Sequence, residues 1–236
     1  MGHPLPLVKV LKLGRLSYQR ASRIQSSLQK RLLDFPNQSN HMMLILEHDP
    51  VYTFGLREKI SDEDLKKLQE CGAEVVKSDR GGLTTFHGPG QLVAYPVMNL
   101  KTLKNMSLRS YVSGLEMTAI HTCRMLGVFA VNGHESVSHT GAWANDKKIC
   151  AIGVHCKRYV TTHGLALNCN VDIDWFTKIV PCGIGDKGVT SLATELGRDI
   201  SVNSTIPQFL ASFEAVFACR IMEVDEEDAL FKECLS

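Results

Sequence analysis

A cysteine set between a proline and a glycine marks the stretch best suited to covalent chemistry, KIVPCGIGDKGVTSL from Lys178 to Leu192. Proline fixes φ and withholds a backbone donor, and glycine admits conformations closed to other residues, so Cys182 belongs on a tight turn. A turn can present a thiol at the mouth of a site; it can equally hold a structural thiol under a loop. A nucleophilic thiol needs a base, because a free thiol of pKa about 8.5 is only a few per cent thiolate at neutral pH. Three side chains elsewhere can serve. Lys148, in KKICAIG, is flanked by Ile149 and Ile152. On an alternating strand it would face water, whereas an inward lysine would be desolvated and its neutral amine favoured. His87, in RGGLTTFHGPGQ, and His163, in THGLALNCNVD, are the usual kind of thiol partner, although a satisfied core histidine is the ordinary role for either.

The block starting at Arg80 carries a second signal. Gly81 and Gly82 suggest backbone pressed against a ligand, with Arg80 available to pair with charge. The turn chemistry of a β-meander would account for the same glycines. Within this block neither G-x-x-x-x-G-K-[ST] nor G-x-G-x-x-G occurs, so the familiar phosphate loops have no support there. His121-x-Cys123, or His134 with His139, would make only an irregular metal site, and the C-x-x-C of zinc ribbons occurs nowhere.

The elements that must position these residues follow from periodicity. Val8–Leu13 alternates as a strand, and Ser17 can cap a helix to about Leu33 with Ala21, Ile24, Leu28 and Leu32 on one face. Met42–His48, Val51–Phe54, Glu74–Lys77 and Gln91–Val97 read as strands, with a short surface helix over Ser61–Gly72. Ser107 caps the longest helix, which Gly127 stops. From Thr140 to Asn170 the pattern is β again: Asn145-Asp146 marks a turn, KICAIGVHCKRYVT a strand or hairpin, and HGLALNCNV a further strand. A last helix is expected over about Pro207–Arg220, followed by an acidic, weakly patterned tail, Val224–Ser236. Without regular βαβ alternation, these elements predict one α+β domain on a mixed, largely antiparallel sheet.

Composition bounds the rest. A chain of 236 residues, 44% hydrophobic and 22% charged, suits a globular protein of one large or two small domains. A net charge of +1 gives no drive toward nucleic acid or membrane, and no apolar run approaches the ~18 residues of a membrane span. Eight cysteines in a chain of this size, without a secretory apolar segment, read as reduced thiols of the cytosol or an organelle matrix. No acidic residue precedes Asp34, while Lys9, Lys12, Arg15, Arg20, Arg23, Lys30 and Arg31 are basic. That is the makeup of a mitochondrial transit segment; VKVLKLG, alternating like a strand, reads instead as the folded start of the domain.

RGGLTTFHGPGQLVAYPVMNL, TGAWANDKKICAIG, THGLALNCNVD and IVPCGIGDKGVTSL, in that order, resemble the lipoyl (octanoyl) transferases over roughly Leu7 to Phe217. These are the octanoyl-acyl-carrier-protein:protein N-octanoyltransferases of lipoate biosynthesis, and the resemblance is to their mitochondrial form. The resemblance implies a single catalytic domain over residues 1–236 with the fold of biotin and lipoate protein ligases, related to the core of class II aminoacyl-tRNA synthetases. It makes Cys182 the acyl-accepting nucleophile and Lys148 its partner, with His163 in support. Arg80, Gly81, Gly82, Leu83, Thr84, Thr85, Phe86 and His87 would line the acyl pocket, with Ala151, Ile152, Gly153, Gly164, Leu165 and Ala166. Leu83 and Phe86 stand where relatives often carry a different residue and a tyrosine. The implied donor is the octanoyl-phosphopantetheine arm of acyl carrier protein. The implied acceptor is a lysine of a lipoyl-domain protein, such as the glycine cleavage H protein or a 2-oxoacid dehydrogenase E2. No cofactor, metal, nucleic acid or membrane is implied, and the protein would be a monomer of the mitochondrial matrix, or of the cytoplasm in bacteria. The developing oxyanion would need donors, for which backbone N–H groups near Cys182-Gly183 or the His87 side chain are candidates. An ATP-dependent lipoate or biotin ligase would need an adenylate-binding loop and no nucleophilic cysteine; an inactive lipoyl-domain scaffold would not keep Cys182 and Lys148 together.

Overall fold

In the computed structural model, residues 5–36, 41–56, 58–103, 106–133, 140–179 and 188–235 are described. The chain lays down β1 (Leu7–Leu16), α1 (Tyr18–Asp34), β2 (His41–His48), β3 (Val51–Phe54), α2 (Asp62–Glu70), β4 (Glu74–Lys77), β5 (Thr85–His87) and β6 (Gln91–Val97). Then come α3 (Leu108–Met125), β7 (Val131–Asn132), β8 (Gly141–Ala144), β9 (Lys147–Lys157), β10 (Val160–Asn168) and a 3₁₀ helix (Ile173–Lys178). The chain ends with α4 (Leu192–Leu196), α5 (Val202–Phe217), β11 (Arg220–Val224) and α6 (Ala229–Leu235).

Strand β2 shows why the sequence folds this way. Its apolar run Met42–Leu46 has no polar alternation, which suits a strand covered on both faces. Met43 and Ile45 enter a core with α3 and α5, while Met42, Leu44 and Leu46 enter a second core with α1. The main sheet runs β11-β1-β2-β6-β10-β9-β8-β7. β1 pairs in parallel with β2 and β11, and the remaining neighbours are antiparallel. This is the mixed, largely antiparallel sheet expected, with one βαβ unit, β1-α1-β2, inside it. A small sheet, β4-β3-β5, stands beside the main one.

Ser17 and Ser107 cap α1 and α3, accepting from the N–H of Arg20 and Ser110. The basic N-terminal stretch is β1 and α1 themselves: Val8, Val10, Ala21 and Leu28 are fully buried, so these residues belong to the folded domain.

The C-terminal expectations need correction. α5 begins at Val202, capped by Ser201, and carries Pro207 inside it; proline suits a helix start, but here it sits beyond the first turn and forgoes a backbone bond. The acidic tail is no loose appendage either. β11 extends the sheet along β1, and α6 buries Leu230 and Phe231 against α1's core. Exposed Asp225, Glu226, Glu227 and Lys232 surround these two apolar anchors.

Candidate active site

The hairpin of β9 and β10 builds one wall of a cavity. Its register sets Ala151 opposite Ala166, Ile152 opposite Leu165 and Gly153 opposite Gly164. The loop after β4 folds over this wall, with the Gly81 N–H donating to the Val154 carbonyl at 3.0 Å. A Cβ on Gly153 would lie 2.7 Å from the Gly81 carbonyl oxygen, and one on Gly164 would strike the Ala94 carbonyl, so both positions require glycine for close backbone approach. Arg80, Gly82 and Leu83 form the lip, Thr85 and His87 of β5 a side wall, and Tyr18, Tyr95 and His163 close the cavity. The unfilled space, counted out through its mouth, is about 450 Å³.

Of the residues expected at an acyl pocket, Arg80, Gly82, Leu83, Thr85, His87, Ala151, Ile152, Gly153, Gly164, Leu165 and Ala166 therefore meet around one cavity, with His163. Gly81, Thr84 and Phe86 do not line it. Strand alternation turns Phe86 the other way, into a small core where it stacks on Trp175 at 4.9 Å and meets Tyr52 at 5.2 Å.

Arg80 departs from its expected availability. Its guanidinium is buried and donates to the Thr53 carbonyl at 2.7 Å, the Gly81 carbonyl at 3.0 Å and the Leu83 carbonyl at 3.0 Å, with the Thr53 hydroxyl as a further acceptor. It stitches the lip of the cavity to β3.

Several polar groups around the cavity are paired. His87 Nδ1 meets Gln91 Oε1 at 2.8 Å, Gln91 Nε2 donates to Asn168 Oδ1 at 2.8 Å, and Asn168 Nδ2 donates to the Thr190 carbonyl at 2.9 Å. The Tyr95 hydroxyl donates to His48 Nε2 at 2.7 Å, and the Tyr18 hydroxyl to Ser78 at 2.8 Å. Burial lowers the pKa of His48 to about 4; burial, with the charges of His48 and Arg80, holds His87 well below the usual imidazole value. His163 lies in left-handed backbone (φ +57°), unusual for a residue with a side chain. Its ring meets Asp79 at 2.7 Å, holding that carboxyl below the usual range, and its N–H donates to Gln25 Oε1 at 2.7 Å. A larger groove beside the cavity shares Tyr18 and His163, but Gln19, Ser22, Arg23 and Lys77 among its lining make it hydrophilic.

Lys148, of the two outcomes open to it, is buried, at 6% exposure. Its Nζ lies 5.0 Å from the centre of the Trp143 ring. Its backbone is clasped on both sides, the N–H donating to the Gly188 carbonyl and the carbonyl accepting from Thr190, each at 3.0 Å. Glu116 reaches from α3 to take the Gly141 N–H at 2.9 Å; burial raises its carboxyl pKa, opposed by that bond and by the charge of Lys148. Cys182 lies outside the described residues, as do His134 and His139. The described residues resume at Gly188, whose carbonyl lies beside Lys148. The other cysteines are poor nucleophiles where burial acts on them: Cys123 is pushed up to about 12, Cys169 to about 11 and Cys219 to about 12, with Cys150 and Cys156 raised too. Among the described residues, no group of three or more His, Cys, Asp or Glu is placed to hold a metal ion.

The model of the lipoyl protein ligase A/B catalytic domain matches residues 20–214. This chain belongs to that family. A mitochondrial octanoyl-[acyl-carrier-protein]:protein N-octanoyltransferase of Danio rerio is 47% identical over 91% of this chain and 94% of its own. The human protein of the same description is 40% identical over 93% and 97%. An octanoyltransferase of Caldanaerobacter subterraneus is 37% identical over 92% and 93%. In fold, the chain is similar to a lipoate-protein ligase A solved with ATP (TM-score 0.78, 18% identity, 96% and 93% covered). It is also similar to a biotin protein ligase of Aquifex aeolicus solved with biotin and ATP (TM-score 0.52, 13% identity, 89% and 70% covered). No helix among the described residues is long and apolar enough to cross a membrane.

Sequence reasoning missed Tyr18, Tyr95, Gln91 and His48. Gln91 and Tyr95 sat inside a recognised motif block but read as strand residues; Tyr18 and His48 gave no local signal, since they reach the site only through the β1-α1-β2 crossover.

Proposed function

We propose that this chain transfers an octanoyl group from acyl carrier protein to a lysine of lipoyl-domain proteins, through a thioester on Cys182. The observation that carries this reading is a cavity walled by Leu83, Ala151, Ile152, Gly153, Leu165 and Ala166, whose one guanidinium faces the protein's own carbonyls. Such a wall favours a neutral aliphatic chain over a charged ligand.

The chemistry has two halves. Lys148, as the amine, takes the Cys182 proton, and the thiolate attacks the octanoyl thioester on the phosphopantetheine arm. The new C–S bond forms, the old one breaks, and Lys148 returns its proton to the leaving thiol. In the second half the acceptor lysine's amine attacks the acyl-Cys182 carbonyl, C–S gives way to C–N, and the proton passes by Lys148 to the Cys182 sulfur. The first half exchanges one thioester for another and the second makes the more stable amide, so no nucleotide is required. The burial of Lys148 and the clasp of Gly188 and Thr190 on its backbone support this pairing, since they hold the exit of the Cys182 stretch against it. The glycine cleavage H protein and 2-oxoacid dehydrogenase E2 chains are the acceptors we propose, and the matrix the compartment, the latter supported by relatives named as mitochondrial.

The test is intact-mass measurement after mixing with octanoyl-acyl carrier protein. An octanoyl adduct that maps to Cys182, absent in Cys182→Ala together with all transfer to a lipoyl domain, is expected. Full transfer by Cys182→Ala would overturn the acyl-enzyme route.

A further inference from the structure

The hydrogen-bond relay behind His87 has a fixed polarity. The carbonyls of Thr190 and Phe86 can only accept, so the amide nitrogen of Asn168 faces Thr190 (2.9 Å) and that of Gln91 faces Phe86 (3.3 Å). Each amide then turns its oxygen the other way. Asn168 Oδ1 receives Gln91 Nε2 at 2.8 Å, and Gln91 Oε1 faces His87 Nδ1 at 2.8 Å. An amide oxygen at that position requires the proton on Nδ1. The ring is buried and neutral, so its lone pair resides on Nε2, and His87 lines the acyl cavity. The neighbouring hydroxyl donors are engaged elsewhere, Tyr95 with His48 and Tyr18 with Ser78.

From this polarity we infer that His87 accepts a hydrogen bond from the acyl-accepting amine, holding it for attack, and does not donate to the oxyanion. The inference rests on the acyl-Cys182 route above. A primary amine carries two N–H groups. One proton leaves as the C–N bond forms and the C–S bond to Cys182 breaks, passing by Lys148 to the sulfur. The other stays in the product amide, and Nε2 can hold it throughout. In the first half the attacking and leaving atoms are both sulfur and carry no N–H at the reacting centre. The requirement for His87 therefore falls on the second half. An oxyanion donor would be felt in both, since each half passes through a tetrahedral oxyanion.

Two measurements on the full chain test this. Nitrogen-15 NMR of the histidine rings should find His87 neutral at pH 7 with Nδ1 protonated; a proton on Nε2 overturns the inference. In single turnovers followed by intact mass, octanoyl-acyl carrier protein charges Cys182 and an unmodified lipoyl domain discharges it. His87→Asn, too short to put an acceptor at the Nε2 position, should slow discharge about 10²-fold, the scale of a misplaced reactant, and by at least tenfold more than it slows charging. His87→Gln, whose amide oxygen reaches that position, should recover part of the loss. Equal slowing of both halves would return His87 to the oxyanion. No adduct on the wild-type chain would sink the acyl-enzyme route and the half-reaction given to His87 with it, while the ring tautomer is read independently.

Discussion

Lowering the pH from 7.5 to 5.0 should remove about 4 kcal/mol of stability through His41 and His48, with His87 adding to the loss in the same direction. Burial lowers the pKa of His41 and His48 to about 4, and His87 lies well below the usual 6.5. The contacts agree: His41 Nδ1 accepts the Asn99 N–H at 3.4 Å, His48 Nε2 accepts the Tyr95 hydroxyl at 2.7 Å, and a protonated ring would face both with a donor. A folded-state pKa below the unfolded one means that the unfolded chain binds more protons, so the stability is present above about pH 6.5 and lost as pH falls. For His41 and His48, pH 5 lies about 1.5 units below the unfolded pKa, and at about 1.4 kcal/mol per unit this gives about 2 kcal/mol each. Glu116, raised by burial, works in the opposite sense, while Asp79 and Asp228, both lowered, matter only nearer pH 4. Against the ~5–15 kcal/mol of an ordinary domain the loss is large. Urea unfolding at pH 7.5, 6.0 and 5.0 reads it as a falling midpoint at constant m. His48→Gln should remove about 2 kcal/mol of the pH-dependent part, whatever its stability at pH 7.5. A loss below about 2 kcal/mol at unchanged m would mean that these rings are not held neutral by the fold.

Two further perturbations address the site. Lys148→Arg keeps a long side chain against Trp143 but puts there a guanidinium that stays protonated and cannot act as the base, so octanoyl transfer should fall at least about 10²-fold. Iodoacetamide labelling of Cys182 near pH 7 should slow with it, and an unchanged rate–pH profile would remove Lys148 as the base. Gly153→Val sets a branched side chain where a Cβ alone would lie 2.7 Å from the Gly81 carbonyl and 3.1 Å from Arg80 Cδ. We expect about a tenfold loss in kcat/KM for the octanoyl donor and a smaller one for a butanoyl donor; equal losses for both chain lengths would place the damage outside the acyl cavity.

How far the sequence disclosed this molecule depends on whether the deciding signal is local. Asn145-Asp146 was legible as a turn because both residues tolerate the left-handed backbone they adopt, at φ +47° and +60°. Arg158-Tyr159 makes the equivalent turn between β9 and β10, at φ +47° and +69°. Neither residue type advertises it, so KICAIGVHCKRYVT stayed a strand or a hairpin. The inward turn of Lys148 was equally hidden, because alternation predicts a face but not what covers it, and Trp143 does so from β8. Arg80 misled for a related reason: an arginine before two glycines looks poised for an anion until Thr53, 27 residues earlier in the chain, is seen to hold it. The cavity-lining residues of β9 and β10 came from family motifs, and their meeting depends on a register that sets Gly153 against Gly164.

A fold shared with an ATP-bound ligase raises the question of what would suit this chain to a pre-activated donor. A free fatty acid would bring a carboxylate to the cavity and would first have to be activated. The guanidinium at the lip is turned toward the carbonyls of Thr53, Gly81 and Leu83, which favours holding the loop over binding an anion. His87 is held neutral and its donor faces Gln91. A thioester asks for neither cation nor donor along its chain: the acyl tail is apolar, and the activation is already in the C–S bond. What the acyl-Cys182 route does ask for is an amine correctly aimed once the carrier thiol has left. The relay from Thr190 through Asn168 and Gln91 to His87 meets that need, and it starts at Thr190, whose N–H donates to the Lys148 carbonyl.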